Sequence, residues 1–113
     1  MANCIFCKIA NGEVPTKMVY EDEFVAAFKD LNPQAPVHIL VVPKKHYDSV
    51  LKVGEEDGVI SKIYTAINKI AKQEHIDESG FRVINNCGKD AGQTVMHLHF
   101  HIIAGKTLSD RIV

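Results

Sequence analysis

The stretch Met96-His97-Leu98-His99-Phe100-His101-Ile102-Ile103 decides the fold. Apolar and imidazole side chains alternate at period two. The segment therefore reads as a strand with Met96, Leu98, Phe100 and Ile102 on one face and His97, His99 and His101 on the other. Successive imidazoles on such a face lie about 6.5–7 Å apart. A core would not select them, because each ring needs partners for two nitrogens. The plain alternative is a solvated sheet face that happens to be rich in imidazole.

Working outward, Val37-His38-Ile39-Leu40-Val41-Val42 is short and almost wholly β-branched or aliphatic, as a buried central strand is, and Pro43 stops it. Lys17–Tyr20 and Phe24–Lys29 flank Glu21-Asp22-Glu23 as a hairpin. Asn32-Pro33-Gln34-Ala35-Pro36 is a turn, since each proline restricts itself and its predecessor. From Glu55 to His75 the period lengthens: Val59, Ile63, Ile67 and Ile70, with Ile60 and Tyr64 beside them, recur at three and four, and Lys62, Lys69 and Lys72 fall opposite. That is an amphipathic helix docked on a sheet. Phe81–Asn85 gives a further strand and Asn86–Thr94 a glycine-bearing loop. Ile5–Ala10 is a short helical turn ended by Asn11-Gly12. The expected fold is α+β, an antiparallel sheet of about five strands with one long and one short helix, and residues 1–113 form a single domain.

Composition agrees with one packed unit. At 113 residues, 46% hydrophobic and 24% charged, the chain is neither a disordered tail, a collagen-like repeat nor a disulfide-packed miniprotein. Folding at this length buries roughly two-thirds of the unfolded surface. A net charge of -1, from 13 basic against 14 acidic residues, argues against a general nucleic-acid binder but leaves room for a nucleotide. Three cysteines, an odd number, and no secretory start point to a reducing compartment, so the cytoplasm is expected. The apolar N-terminal stretch is too short for a signal peptide or a membrane span, and no membrane partner is expected.

Two chemistries suit the histidine strand. The His-x-His spacing can bind a catalytic metal when a third ligand converges. Alternatively, one imidazole is itself the nucleophile towards a phosphorus or acyl centre and its neighbours supply charge. Before the strand lie Asn85-Asn86, Cys87, Gly88, Gly92, Gln93 and Thr94, a loop able to bring backbone N–H groups and a hydroxyl against phosphate. It is not a Walker loop, because Gly88-Lys89-Asp90 lacks the Lys-Ser/Thr ending and its upstream glycine.

The segment GQTVMHLHFHII, residues 92–103, resembles the His-φ-His-φ-His-φ-φ signature of histidine-triad (HIT) proteins, specifically the Hint-like branch of nucleotide phosphoramidases. The likeness extends to CIFCKIANGEVP and FKDLNPQAPVHILVVPKKH, so it runs nearly end to end. It implies a hydrolase that cleaves purine nucleoside phosphoramidates, or related nucleotidyl conjugates, at the α-phosphate. His99 would be the nucleophile and form a nucleotidyl-histidine. A backbone carbonyl bonded to its other nitrogen would set the useful tautomer. His101 and His38 would flank the phosphate, and one of them or Thr94 would help the leaving group depart. Asp30 would bind the ribose. Ile5, Phe6, Ile9, Phe28 and Leu31 would sandwich the base. Asn86, Gln93 and Thr94 would contact the phosphate or its substituent. Read without the resemblance, the apolar five are ordinary packing residues, Asp30 is a turn cap and Asn86 a loop residue. Alternative functions are a nucleotide-binding regulatory module with little turnover, a dinucleoside polyphosphate hydrolase, and a metal-dependent hydrolase at the triad.

Cys4-Ile5-Phe6-Cys7 is a C-x-x-C pair without the parallel βαβ unit of a thioredoxin-like site. Similarity to zinc-containing bacterial HIT proteins implies a structural zinc on Cys4, Cys7, His46 and His97. Such a site is closed to substrate and leaves His99 and His101 free of metal. Cys87 and His75 are accounted for as a buried small thiol and a surface imidazole at a helix C-terminus. The family also implies a homodimer built on the long helix and a sheet edge. Animal Hint proteins carry a C-terminal tryptophan that reaches the neighbouring subunit's site. This chain has no Trp, so the resemblance gives no leaving-group preference.

Overall fold

The computed structural model describes residues 3–113. Helix α1 spans Ile5–Ala10 and helix α2 Val59–Gln73. The strands are β1, Tyr20–Glu21; β2, Val25–Lys29; β3, Val37–Pro43; β4, Arg82–Ile84; and β5, Phe100–Ala104. They form one antiparallel five-stranded sheet in the order β1-β2-β3-β5-β4. The expected α+β class and strand number are therefore observed. Two short 3-10 turns, Val50–Lys52 and Lys89–Ala91, interrupt segments that the sequence marks only as loop.

The two sheet faces bury different things. On one, Ile63, Ile67 and Ile70 of α2 pack on Val25, Ala27, Ile39, Val41, Leu98, Phe100 and Ile102. On the other, Phe6 and Ala10 of α1 cover Ala26, Phe28, Leu40 and Val42. Because β3 carries apolar residues at both parities, it is covered on both sides and reads as a continuous apolar run. The helix begins later than its apolar pattern: residues 55–58 stay outside, and the Asp57 carboxylate accepts from Val59 N at 3.0 Å to cap the first turn.

The histidine strand is shorter than its alternation. The β3–β5 register runs from Val37↔Ala104 to Val41↔Phe100, and the next inward-facing pair would join Pro43 to Leu98. Pro43 has no N–H to give, and Leu98 N donates instead to Tyr47 O at 2.7 Å. Residues 96–99 are therefore held beside residues 43–47 without a ladder. The two-faced alternation survives at Leu98, Phe100 and Ile102, but Met96 is 51% exposed and not part of the apolar face. Likewise β1 is two residues long, and Pro43 ends β3 from within it.

Two turn devices shape the ends of the strands. Asp22 closes the β1–β2 hairpin by accepting from Phe24 N and Val25 N and from the Tyr20 hydroxyl. Gly105, at φ +88°, lets the end of β5 pass the turn before β3, where an added Cβ would sit 2.9 Å from Pro36 Cβ. The turn before β3 sets His38 beside His101 of β5, with ring centroids 5.1 Å apart.

Candidate active site and metal centre

On the α1 face, six aromatic rings stand in one row. His46 and His97 lie 4.9 Å apart between centroids, His97 and Phe6 6.0 Å, and Phe6 and His99 5.1 Å. His99 to His101 and His101 to His38 are each 5.1 Å. The row joins two clusters, one at each end.

At the His38 end the hydrogen bonds determine every tautomer. His99 Nδ1 donates to His97 O at 2.7 Å, which leaves Nε2 as the ring nitrogen with the lone pair. Gln34 N donates to His38 Nδ1 at 3.0 Å, so the His38 proton is on Nε2. That proton goes to His101 Nδ1 at 2.9 Å, with Asp30 Oδ2 also 3.4 Å away. His101, accepting at Nδ1, carries its own proton on Nε2. Neither His99 Nε2 nor His101 Nε2 bonds to a described residue, and among the described residues no unpartnered side-chain nitrogen or oxygen is buried. Both atoms therefore reach solvent, although the His99 residue as a whole is only 6% exposed. A lone pair and an N–H donor thus emerge side by side. Burial, reinforced by the neighbouring His99 and His38, lowers the His101 pKa against the opposing pull of Asp30. The shift favours the neutral ring.

This wiring bears on the metal alternative for the triad. Asp30, His38 and His101 are close enough to share an ion. However, the Gln34 N–H keeps the His38 proton on the one nitrogen that faces the other two groups. A cation there would have to displace that proton towards another donor.

The second cluster consists of Cys4, Cys7, His46 and His97, whose four ligand atoms lie within 4.8 Å of one another and form a set able to hold a metal ion. His97 Nδ1 is 3.3 Å from Cys4 Sγ and 3.4 Å from Cys7 Sγ, and His46 Nδ1 is 3.3 Å from Cys7 Sγ. A tetrahedron with bonds of about 2.3 Å to sulfur and about 2.05 Å to nitrogen has an S···N edge of about 3.5 Å. Each histidine directs its other nitrogen to an acceptor: His46 Nε2 to Asp48 Oδ1 at 2.7 Å, His97 Nε2 to Pro43 O at 2.8 Å. That is the outer shell which orients imidazole ligands. Burial, followed by the adjacent Cys4, pushes the Cys7 thiol up to about 11, and a cation is what would release its proton. Burial also lowers the His97 pKa and keeps that ring neutral, as a ligand must be. The donor set therefore fits a tetrahedral metal.

Other anticipated residues fall in several places. Phe6 and Phe28 are buried and meet edge to face at 5.6 Å; Ile9 is half-buried. Ile5 is 44% and Leu31 96% exposed. Asp30 Oδ1 caps the following turn by accepting from Asn32 N, while Oδ2 is turned to His38. Thr94 is exposed and lines a hollow of about 420 Å³ with Cys4, Ile5, His46 and Met96. Asn86 Nδ2 bonds to Ala91 O within its own loop. Gln93 is buried, accepts from Gly88 N, and donates to Asp48 O and Val95 O. Cys87 is half-buried. Asn85 was not singled out by its residue type, yet its Nδ2 donates to His99 O at 2.9 Å. Its place at the end of the Phe81–Asn85 run was the available signal. Gln34 acts through its backbone and gave none. Asp48, which accepts from His46 Nε2, was missed as well, and its place two residues after His46 was the available signal.

A sheet with a row of backbone-wired imidazoles on one face and a long helix on the other defines a small class of proteins. The HIT domain family matches residues 11–108, and the chain belongs to that family. It is 42% identical over 105 residues to the purine nucleoside phosphoramidase of Escherichia coli K12, covering 92% of this chain and 88% of that protein. With Protein HitA of Neisseria gonorrhoeae it shares 45% over 104 residues, covering 91% and 96%. Among solved structures, a histidine triad protein from Clostridium difficile superposes with a TM-score of 0.95 at 60% identity, covering 98% of this chain and 97% of the other. A HIT family hydrolase from Clostridium thermocellum gives 0.96 at 46%, covering 100% and 99%. The chain is of the HIT hydrolase type. Among the described residues no helix is long and apolar enough to cross a membrane.

Proposed function

We propose that the chain hydrolyses purine nucleoside phosphoramidates through a covalent nucleotidyl-His99 intermediate. One observation carries the reading: His99 is held as the Nδ1–H tautomer by His97 O, while its Nε2 is open to solvent beside the Nε2–H of His101.

In the first step the His99 Nε2 lone pair attacks the α-phosphorus, and the P–N bond to the leaving amine breaks. The departing nitrogen takes the His101 Nε2 proton, which solvent at that open nitrogen replaces. His38 Nε2–H goes on donating to His101 Nδ1, and the positive charge gained stays on the phosphorylated His99 ring. In the second step water attacks phosphorus, the bond to His99 Nε2 breaks with its electron pair returning to the ring, and the water proton leaves to solvent. The products are a nucleoside monophosphate and an amine. His38, directed at His101, is a positioning residue in this scheme, and Asn85 is another because it holds the His99 carbonyl. Ile5 and Leu31 provide the accessible walls for a purine, over a floor of Phe6 and Phe28, with Ile9 behind. Asp30 Oδ2 is left to meet ribose hydroxyls. Thr94, with the Asn86 and Gln93 loop behind it, faces the phosphate substituent.

Zinc is the ion that two thiols and two imidazoles suit, on Cys4, Cys7, His46 and His97. Filled by four protein ligands, it would supply shape and charge neutralisation and no open position for substrate. A homodimer is consistent with β4 lying at the sheet edge and with the exposed Tyr64 on α2.

His99→Ala should lower turnover of an adenosine 5'-phosphoramidate by at least about 10³-fold, the scale seen when a covalent catalyst is removed. AMP affinity and zinc content should be retained. Retained turnover would refute the assignment, and so would loss of zinc on this substitution.

A further inference from the structure

The two ends of the aromatic row share a residue. His97 presents its ring Nδ1 to both cysteine sulfurs and gives its backbone carbonyl to His99 Nδ1 at 2.7 Å. The backbone between them is not secured by the sheet. The β3–β5 ladder ends at Phe100, and among the described residues the hydrogen bonds that tie residues 97–99 to the rest of the chain, apart from the cysteine contacts, are Leu98 N to Tyr47 O, the His97 ring to Pro43 O, and Asn85 to His99 O. A second link runs through α1. Phe6 sits between the two cysteines and packs its edge against His97 and His99. A helix of six residues has no independent stability, so its seat on the histidines depends on the packing of Phe6 and Ala10 and on what holds Cys4 and Cys7.

We propose that the Cys4–Cys7–His46–His97 centre, when it holds its metal ion, is the device that positions the nucleophile. Through His97 it sets the carbonyl that selects the His99 tautomer, and through the cysteine pair it sets Phe6 against the His99 ring. His97 is then a positioning residue for the reaction as well as a metal ligand. The proposal rests on His99 being the nucleophile, but its first readout does not require turnover.

The test uses the zinc-loaded chain with ¹⁵N-labelled imidazoles and reads the His99 tautomer by long-range proton–nitrogen correlation at neutral to alkaline pH. The loaded wild type should show a single Nδ1–H form. His46→Asn removes one ligand and, with it, the ring contacts of His46 to His97 and Cys7, a loss that His46→Cys shares and so controls for. After metal loss it should show His99 as a mixture of tautomers, turnover lower by roughly 10–100-fold, and unchanged amide protection in α2 and the central strands. His46→Cys, which restores four ligands, should recover metal content, the single tautomer and turnover together. The proposal is overturned if ion-free His46→Asn keeps one tautomer and full turnover. It is equally overturned if the entire fold is lost with the ion, because the centre would then serve stability alone. A loaded wild type with the single tautomer and no hydrolysis of any nucleotidyl conjugate would instead refute the proposed function and leave the positioning intact.

Discussion

His101 illustrates how a single ring is tuned. Its Nδ1 accepts from His38, its Nε2 is open to solvent, and burial with two imidazole neighbours holds its pKa below the usual 6.5. The unfolded chain therefore takes up a proton there before the folded chain does. The resulting stability is complete above pH 6.5 and is lost as pH falls from that value through the lower folded pKa. One proton contributes at most about 1.4 kcal/mol per pH unit. Urea unfolding from about pH 8 to about pH 5 should show a shallower decline for His101→Asn than for the wild type; parallel curves would mean that the ring is not tuned by burial. At this scale the sequence was most informative about identity. The alternation of imidazole with apolar residues singled out His97, His99 and His101, whereas the C-x-x-C pair pointed to metal ligation only through the family resemblance. Which nitrogen each ring uses was not legible, because it depends on backbone groups such as Gln34 N and His97 O whose positions follow from the folded path.

Among the elements, β3, α1 and α2 were the most legible, since each carries a period or an apolar run that no other structure accommodates. The histidine strand was over-extended because alternation continues through residues 96–99 while the partner strand meets Pro43, and pattern within one strand carries no information about its neighbour's missing donor. The loop at 86–94 shows the opposite failure. Gln93 resembles a phosphate ligand by position, yet its amide is spent on Gly88 N, Asp48 O and Val95 O, tying this loop to the chain that follows β3. Gln93→Ala should cost about 1–3 kcal/mol by leaving these buried groups without partners. Amide exchange at Gly88 should also quicken, measured by urea titration and hydrogen exchange. Unchanged stability would show that water replaces the amide and that the side chain is free for substrate.

At the scale of the whole molecule, the sheet separates two tasks. The α2 face is apolar throughout and provides the cooperative core, while the α1 face holds the imidazole row and both side-chain clusters. The α+β class was readable from the order of periods, but the strand order β1-β2-β3-β5-β4 was not. It results from pairing between segments far apart in the chain, such as Val37 with Ala104. The same holds for the metal cluster, where Cys4 and His97 approach to 3.3 Å only because β3 and the histidine segment lie side by side beneath α1.

Covalent chemistry at His99 is the central claim, and trapping the intermediate tests it most directly. The zinc-loaded chain, mixed with an adenosine 5'-phosphoramidate and quenched rapidly at alkaline pH to preserve the acid-labile P–N bond, should yield one nucleotidyl adduct. Peptide mass analysis should place it on His99. Turnover that proceeds with no adduct at any quench time, or an adduct on His38 or His101, would contradict the account.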